Sequence, residues 1–204
     1  MMDLFLDDKM IPLPGADTFD GDMSSWDVAK VTAMRNMFRK ASKFNGDISK
    51  WKVSRVTDME CMFHSATSFN GDISNWDVSS VTKMNGMFYA ASLFNGDLSK
   101  WDVSSVTNMD DMFNQASKFN TDLSKWDVSK VTTMQCIFCH ASSFSQTLCG
   151  AWLTSKAKIG TYEMFYRSLG KIGTYGMFDR SSGKIGTCNS KKTTSHHNLN
   201  PDSD

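Results

Sequence analysis

The sequence predicts an α/β solenoid of five to six 25-residue coils, each a short parallel strand followed by a helix. Phe19, Phe44, Phe69, Phe94, Phe119 and Phe144 stand 25 residues apart, and Trp26, Trp51, Trp76, Trp101 and Trp126 keep the same interval. A period in this range marks a stacked array, because one such unit cannot bury its own apolar side chains. Within the unit, the hydrophobic pattern passes from a short strand-like run to a helical stripe. The 204 residues suit one domain or one array.

Taken in chain order, residues 1–17 form an N-terminal segment or cap, 18–152 the repeat array, and 153–204 degenerate 13-residue repeats with a basic tail. The unit opens on a turn, Phe44 to Asp47, whose Asn45-Gly46 step is too flexible for a helix. Gly46, Gly71 and Gly96 fit a turn that needs positive φ. A short strand then centres on Ile48 to Trp51. Val56, Met59, Met62, Phe63 and Ala66 follow at i, i+3, i+6, i+7 and i+10, which places them on one helical face. Ser54 supplies a helix cap, and the stretch Ser65 to Ser68 ends the helix. Stacking brings like residues of successive coils into rows, with strands about 4.7–4.9 Å apart. Ile48 and Val53 beside Trp51 place the Trp row in the core rather than on an exposed ligand platform.

Composition narrows the chemistry. Formal net charge is zero, which argues against nucleic acid and other generic polyanions as partners. No apolar run reaches about 18 residues, so no transmembrane helix is expected. Asp22, Asp47, Asp72, Asp97 and Asp122 form one acidic row and Asp27, Asp77, Asp102 and Asp127 a second, interrupted by Lys52. Asp in turns accepts backbone amide bonds, and this structural role is set against calcium held between coils. Asn45, Asn70, Asn95 and Asn120 form a third row that bonds the backbone of the turn. Cys136, Cys139, His140 and Cys149 could suggest zinc or a redox pair, but a helical C-x-x-C lacks a second such motif, so scattered thiols are the simpler reading. No nucleophile, P-loop or dinucleotide motif occurs, so neither an enzyme nor a cofactor is expected.

Specificity in a repeat array lies on positions that vary over a fixed scaffold. Two rows qualify. Lys50, Asn75, Lys100 and Lys125 lie on the strand side, next to the acidic row, as a rigid surface or as a charge-neutralising row. Arg39, His64 and Tyr89 lie on the helix, near the variable positions Arg35, Glu60, Asn85, Asp110 and Gln135.

The unit V-T-x-M-x-x-M-F-x-x-A-x-x-F-N-x-D-[IL]-S-x-W covers residues 18 to 148. It resembles the repeat of BspA-like leucine-rich-repeat surface proteins, and more closely the mycoplasma-type lipoprotein 25-residue repeat, a domain of unknown function. The resemblance implies a leucine-rich-repeat-like solenoid, an extracellular or cell-surface place, and adhesion or binding to another protein or a surface glycan. It implies no catalytic residues. The start, Met1 to Lys9, is acidic and shows no apolar signal-peptide core. Beyond the array, Ile159, Ile172 and Ile185 each open an Ile-Gly-Thr step, and the tail from Ser181 is polar enough to be disordered. Residues 1–150 hold 18 acids and 14 bases, and the remainder 4 acids and 8 bases. The expected function is a non-catalytic protein-interaction or surface-adhesion module. An intracellular scaffold or decayed array fragment, and a calcium-binding repeat protein, are the alternatives.

Overall fold

The computed structural model describes residues 15–157, 164, 166–168 and 171–172. The expected α/β class is overturned. Residues 15–157 contain no α-helix, only the short 3-10 turns Ala16–Thr18 and Gly150–Leu153. The predicted strand at Ile48 to Trp51 is a tight turn, closed by the Trp51 amide on the Ile48 carbonyl at 3.1 Å. Strand pairing among the described residues is confined to β1 (Thr147–Leu148) and β2 (Lys171–Ile172), which run parallel. Isolated parallel bridges also link Ala33, Asp58, Lys83, Asn108 and Thr133 in series.

The predicted helix from Val56 to Ala66 is instead a chain of turns. Met62 donates to Met59, His64 to Cys61, and Ala66 to Phe63, each three residues back. The amides between them leave the coil. Met59 donates to Lys83, Cys61 to Asn85, Phe63 to Met87, and Ser65 to Tyr89, at 2.7–3.0 Å. An α-helix would send each of these amides four residues back along its own chain. Cys61 and Ser65, at φ of 54° and 59°, break helical geometry on every second turn. Spacing of i, i+3 and i+7 fits consecutive three-residue turns as well as a helix, so the hydrophobic stripe does not tell them apart.

The rows that the period implies are present and close. Phe44, Phe69 and Phe94 stack in sequence at 5.9 and 5.8 Å. Phe38, Phe63 and Phe88 stack at 5.4 and 5.6 Å. Phe63 also lies face to face with Phe69 within its coil, at 3.9 Å. These rings are fully buried, together with Met59, Met62 and Ala66. Burial of a large apolar side chain contributes roughly 1.5–3 kcal/mol, and each coil repeats the set. The Trp51, Trp76, Trp101 and Trp126 rings are buried as well, and each Nε1 donates to a carbonyl 28 residues earlier at 2.9–3.1 Å.

Polar rows fasten the outside of the stack. The Oδ1 of Asn45, Asn70 and Asn95 accepts the amide of the Asn one coil on, each at 2.8 Å. Asp20 heads this row by accepting the Asn45 amide at 3.1 Å. Thr57, Thr82 and Thr107 each donate Oγ1 to the Thr carbonyl of the coil before. Gly46, Gly71 and Gly96 do not have positive φ, contrary to expectation. Their constraint is space: a Cβ at each would come within 3.0–3.1 Å of the Phe ring two residues earlier.

The stack continues past residue 152. Phe138 donates to the Met164 carbonyl at 2.9 Å and His140 to Tyr166 at 2.7 Å, in the manner of earlier coils. Met164 is buried. The signal-peptide question at Met1 to Lys9 and the tail from Ser181 lie outside the described residues.

Candidate functional site

The acidic rows have a local use. The Oδ1 of Asp47, Asp72, Asp97 and Asp122 accepts the amide of the Ser two residues on, at 2.8–3.0 Å. Asp77, Asp102 and Asp127 do the same with Ser79, Ser104 and Ser129. Bonds from Ser49 and Ser99 hold the Asp47 and Asp97 carboxyls below the usual range, with Lys50 and Lys100 adding to the effect. Ser74 does the same for Asp72. Each Asp thereby closes its own turn. Among the described residues, no three His, Cys, Asp or Glu converge on a possible metal position.

Four of the seven predicted interaction residues line two separate grooves. Lys50 and Asn75 line one of about 350 Å³, together with Trp51, Lys52 and Asp77. Lys100 and Lys125 are exposed further along the same row, outside it. His64 and Tyr89 line a second groove of about 200 Å³ with Cys61, Asn85 and Gly86. Asn108, Asp110 and Asp111 complete its wall. Arg39, one coil before His64, is half-buried and lies outside both.

Each groove opens where the chain departs from its repeat. Lys52 stands where other coils carry Asp27, Asp77, Asp102 and Asp127. Gly86 stands where they carry Asn36, Cys61, Asp111 and Cys136. The backbone there needs positive φ, 61° at Gly86, and the other coils hold it with a side chain in place. A Cβ on Gly86 would come within 3.0 Å of the Cys61 Sγ, so glycine makes the gap. The His64 and Tyr89 rings stack beside it at 4.5 Å and 13°. Gln115 Nε2 fixes the far end of Tyr89 by donating to its hydroxyl at 2.6 Å.

Burial, then the Arg39 and Lys40 charges, push the His64 pKa down to about 4, so the ring is neutral at pH 7. Burial pushes the Cys61 thiol up, away from the reactive thiolate. Cys136 and Cys139, expected as scattered thiols, are joined in a disulfide. The lining of the second groove thus offers hydrogen-bond partners and negative charge, without an activated nucleophile.

The family described as "Mycoplasma protein of unknown function, DUF285" matches residues 11–88 and 71–171. The chain belongs to that family. The two DUF285 matches overlap within the array and extend beyond it to residue 171, where Met164 and Tyr166 take up the inter-coil bonds. No curated protein and no solved structure matches the chain. No helix of the described DUF285 chain is long and apolar enough to cross a membrane.

Of the groove residues, His64, Tyr89, Asn85 and Asp110 are visible in the sequence as positions that vary. Gly86, Asn108 and Asp111 are not singled out by their residue type. The available signal was Gly86 as the one glycine in its row.

Proposed function

We propose that this chain is a non-catalytic protein-interaction module that recognises its partner through the variable rows around Gly86. One observation carries the reading. The Asn, Asp, Thr and Trp rows use their polar atoms to fasten coil to coil or to close turns. The rows through Glu60, Asn85 and Asp110, and through His64 and Tyr89, change chemistry at each coil and border a groove. A fixed scaffold with one varied face is how repeat arrays separate stability from specificity. Likeness of the unit to BspA-like surface proteins supports a partner met at a cell surface, with adhesion as the biological outcome.

The test places a photo-crosslinking side chain at Tyr89 or, as control, at Thr82 of the fastening row, in the full chain. Exposed to surface proteins of the source cells, the Tyr89 probe should give a discrete adduct and the Thr82 probe none. Equal adducts from both, or none from any position around the groove, would contradict the reading.

A further inference from the structure

The charges of the variable face are not equally matched. Arg35 pairs with Glu60 at 3.1 Å and Lys83 with Asp58 at 3.6 Å. Asp110 and Asp111, adjacent at one end of the Gly86 groove, have no cation paired with them among the described residues. One oxygen of each is held in place. Asp110 Oδ1 accepts from the Gln135 amide at 2.6 Å and from Thr133 Oγ1 at 2.5 Å. Asp111 Oδ1 accepts from Asn114 Nδ2 at 2.7 Å. These bonds fix the carboxylates without supplying a counter-charge. The groove runs from Cys61 past Gly86 to Asp111, two coil steps, or about 9–10 Å at the usual parallel spacing. Its Cys61 and His64 end is neutral and feels the Arg39 charge, and its other end carries the two Asp side chains.

We propose that the Gly86 groove receives a lysine or arginine side chain of the partner protein. This rests on the interaction reading above and names the chemistry of the contact. The aliphatic stem lies along the His64–Tyr89 wall, because such stems cover apolar surface while the charged head stays polar. The head meets Asp110 and Asp111, away from Arg39. Arginine is the better fit, since its planar fork can bridge two fixed carboxylates. The wall, the carboxylates and the gap are already in place, so little ordering opposes binding. A neutral sugar would leave both charges unmatched.

The experiment is an NMR titration of the full chain with the capped peptides Gly-Arg-Gly, Gly-Lys-Gly and Gly-Glu-Gly, and with N-acetylglucosamine. Saturable shifts at the Gly86, Tyr89 and Asp111 amides are expected with the Arg and Lys peptides and with neither other probe. Asp111→Asn should weaken the Arg peptide by up to about fivefold. Gly86→Asn fills the gap and should abolish the shifts. Asn36 holds the equivalent place at φ 56°, so the backbone accepts the variant once the Cys61 Sγ turns aside, and an unchanged melting temperature verifies it. No shift with Arg or Lys, equal shifts with Glu, a response to the sugar alone, or persistence in Gly86→Asn would overturn the proposal. An adduct from Tyr89 that Asp110→Asn with Asp111→Asn leaves unchanged would overturn it while the interaction reading stands.

Discussion

Trp26 and Trp76 hold the same place in the repeat, two units apart, and their surroundings differ. Trp76 is 4% exposed, stacks on Trp51 at 6.4 Å, and donates Nε1 to the Ile48 carbonyl at 3.1 Å. Trp26, at the head of the described row, is 38% exposed. The residue type is constant, so the contrast lies in the neighbours on either side. Stability in such an array is a property of pairs of coils rather than of single units.

The largest expected effect follows from that contrast. Trp76→Ala should cost about 3–5 kcal/mol, read from the urea midpoint. Trp26→Ala should cost less, about 1–2 kcal/mol, because much of its ring is open to solvent. Equal losses would show that the row does not carry the stability.

The polar rows should give a smaller effect. Asn70→Ala removes the oxygen that accepts the Asn95 amide and should cost about 0.5–1.5 kcal/mol. Asn70→Asp keeps an acceptor, as Asp20 does for Asn45, and should lose less by the same measurement.

Neighbouring alanines offer a third contrast. Ala90 sits at φ 53° and Ala91 is fully buried without positive φ. Ala90→Gly relieves left-handed strain and should stabilise the chain by up to about 1 kcal/mol. Ala91→Gly should destabilise it. Thermal melting of both variants decides whether the alternate turns are strained or indifferent.

The pH response of His64 should be the smallest effect, because the ring is only half-buried. Its folded pKa is near 4, below the ordinary 6.5. As pH falls between those values, the unfolded chain takes up a proton that the folded chain does not, and stability declines. Above the ordinary value the contribution is constant. His64→Gln should flatten the dependence of the urea midpoint in that window, and an unchanged profile would place the titration elsewhere.

Much of this organisation is legible in the sequence, and the remainder is hidden for physical reasons. Ladders of Phe, Trp and Asn follow from the period, because stacked units bring like residues together. The course of the backbone within a coil does not follow. Met59, Met62 and Phe63 have the same spacing whether an amide bonds within its coil or to the next. Positive φ at Cys61, Ser65 and Ala90 could not be read, since none of these residues favours it. In the candidate site, His64 and Tyr89 stood out by varying, but the groove arises from a missing side chain at Gly86. Asp111 took its meaning from its place in space, at the end of that gap.

The central claim is that coils are joined by amides that leave their own coil, where a helix would turn them inward. Scalar coupling through the hydrogen bond of the Phe63 amide measures this directly by NMR. The account predicts coupling from the Phe63 nitrogen to the Met87 carbonyl carbon, its acceptor at 2.9 Å. Coupling to the Met59 carbonyl, the helical partner four residues back, would contradict it.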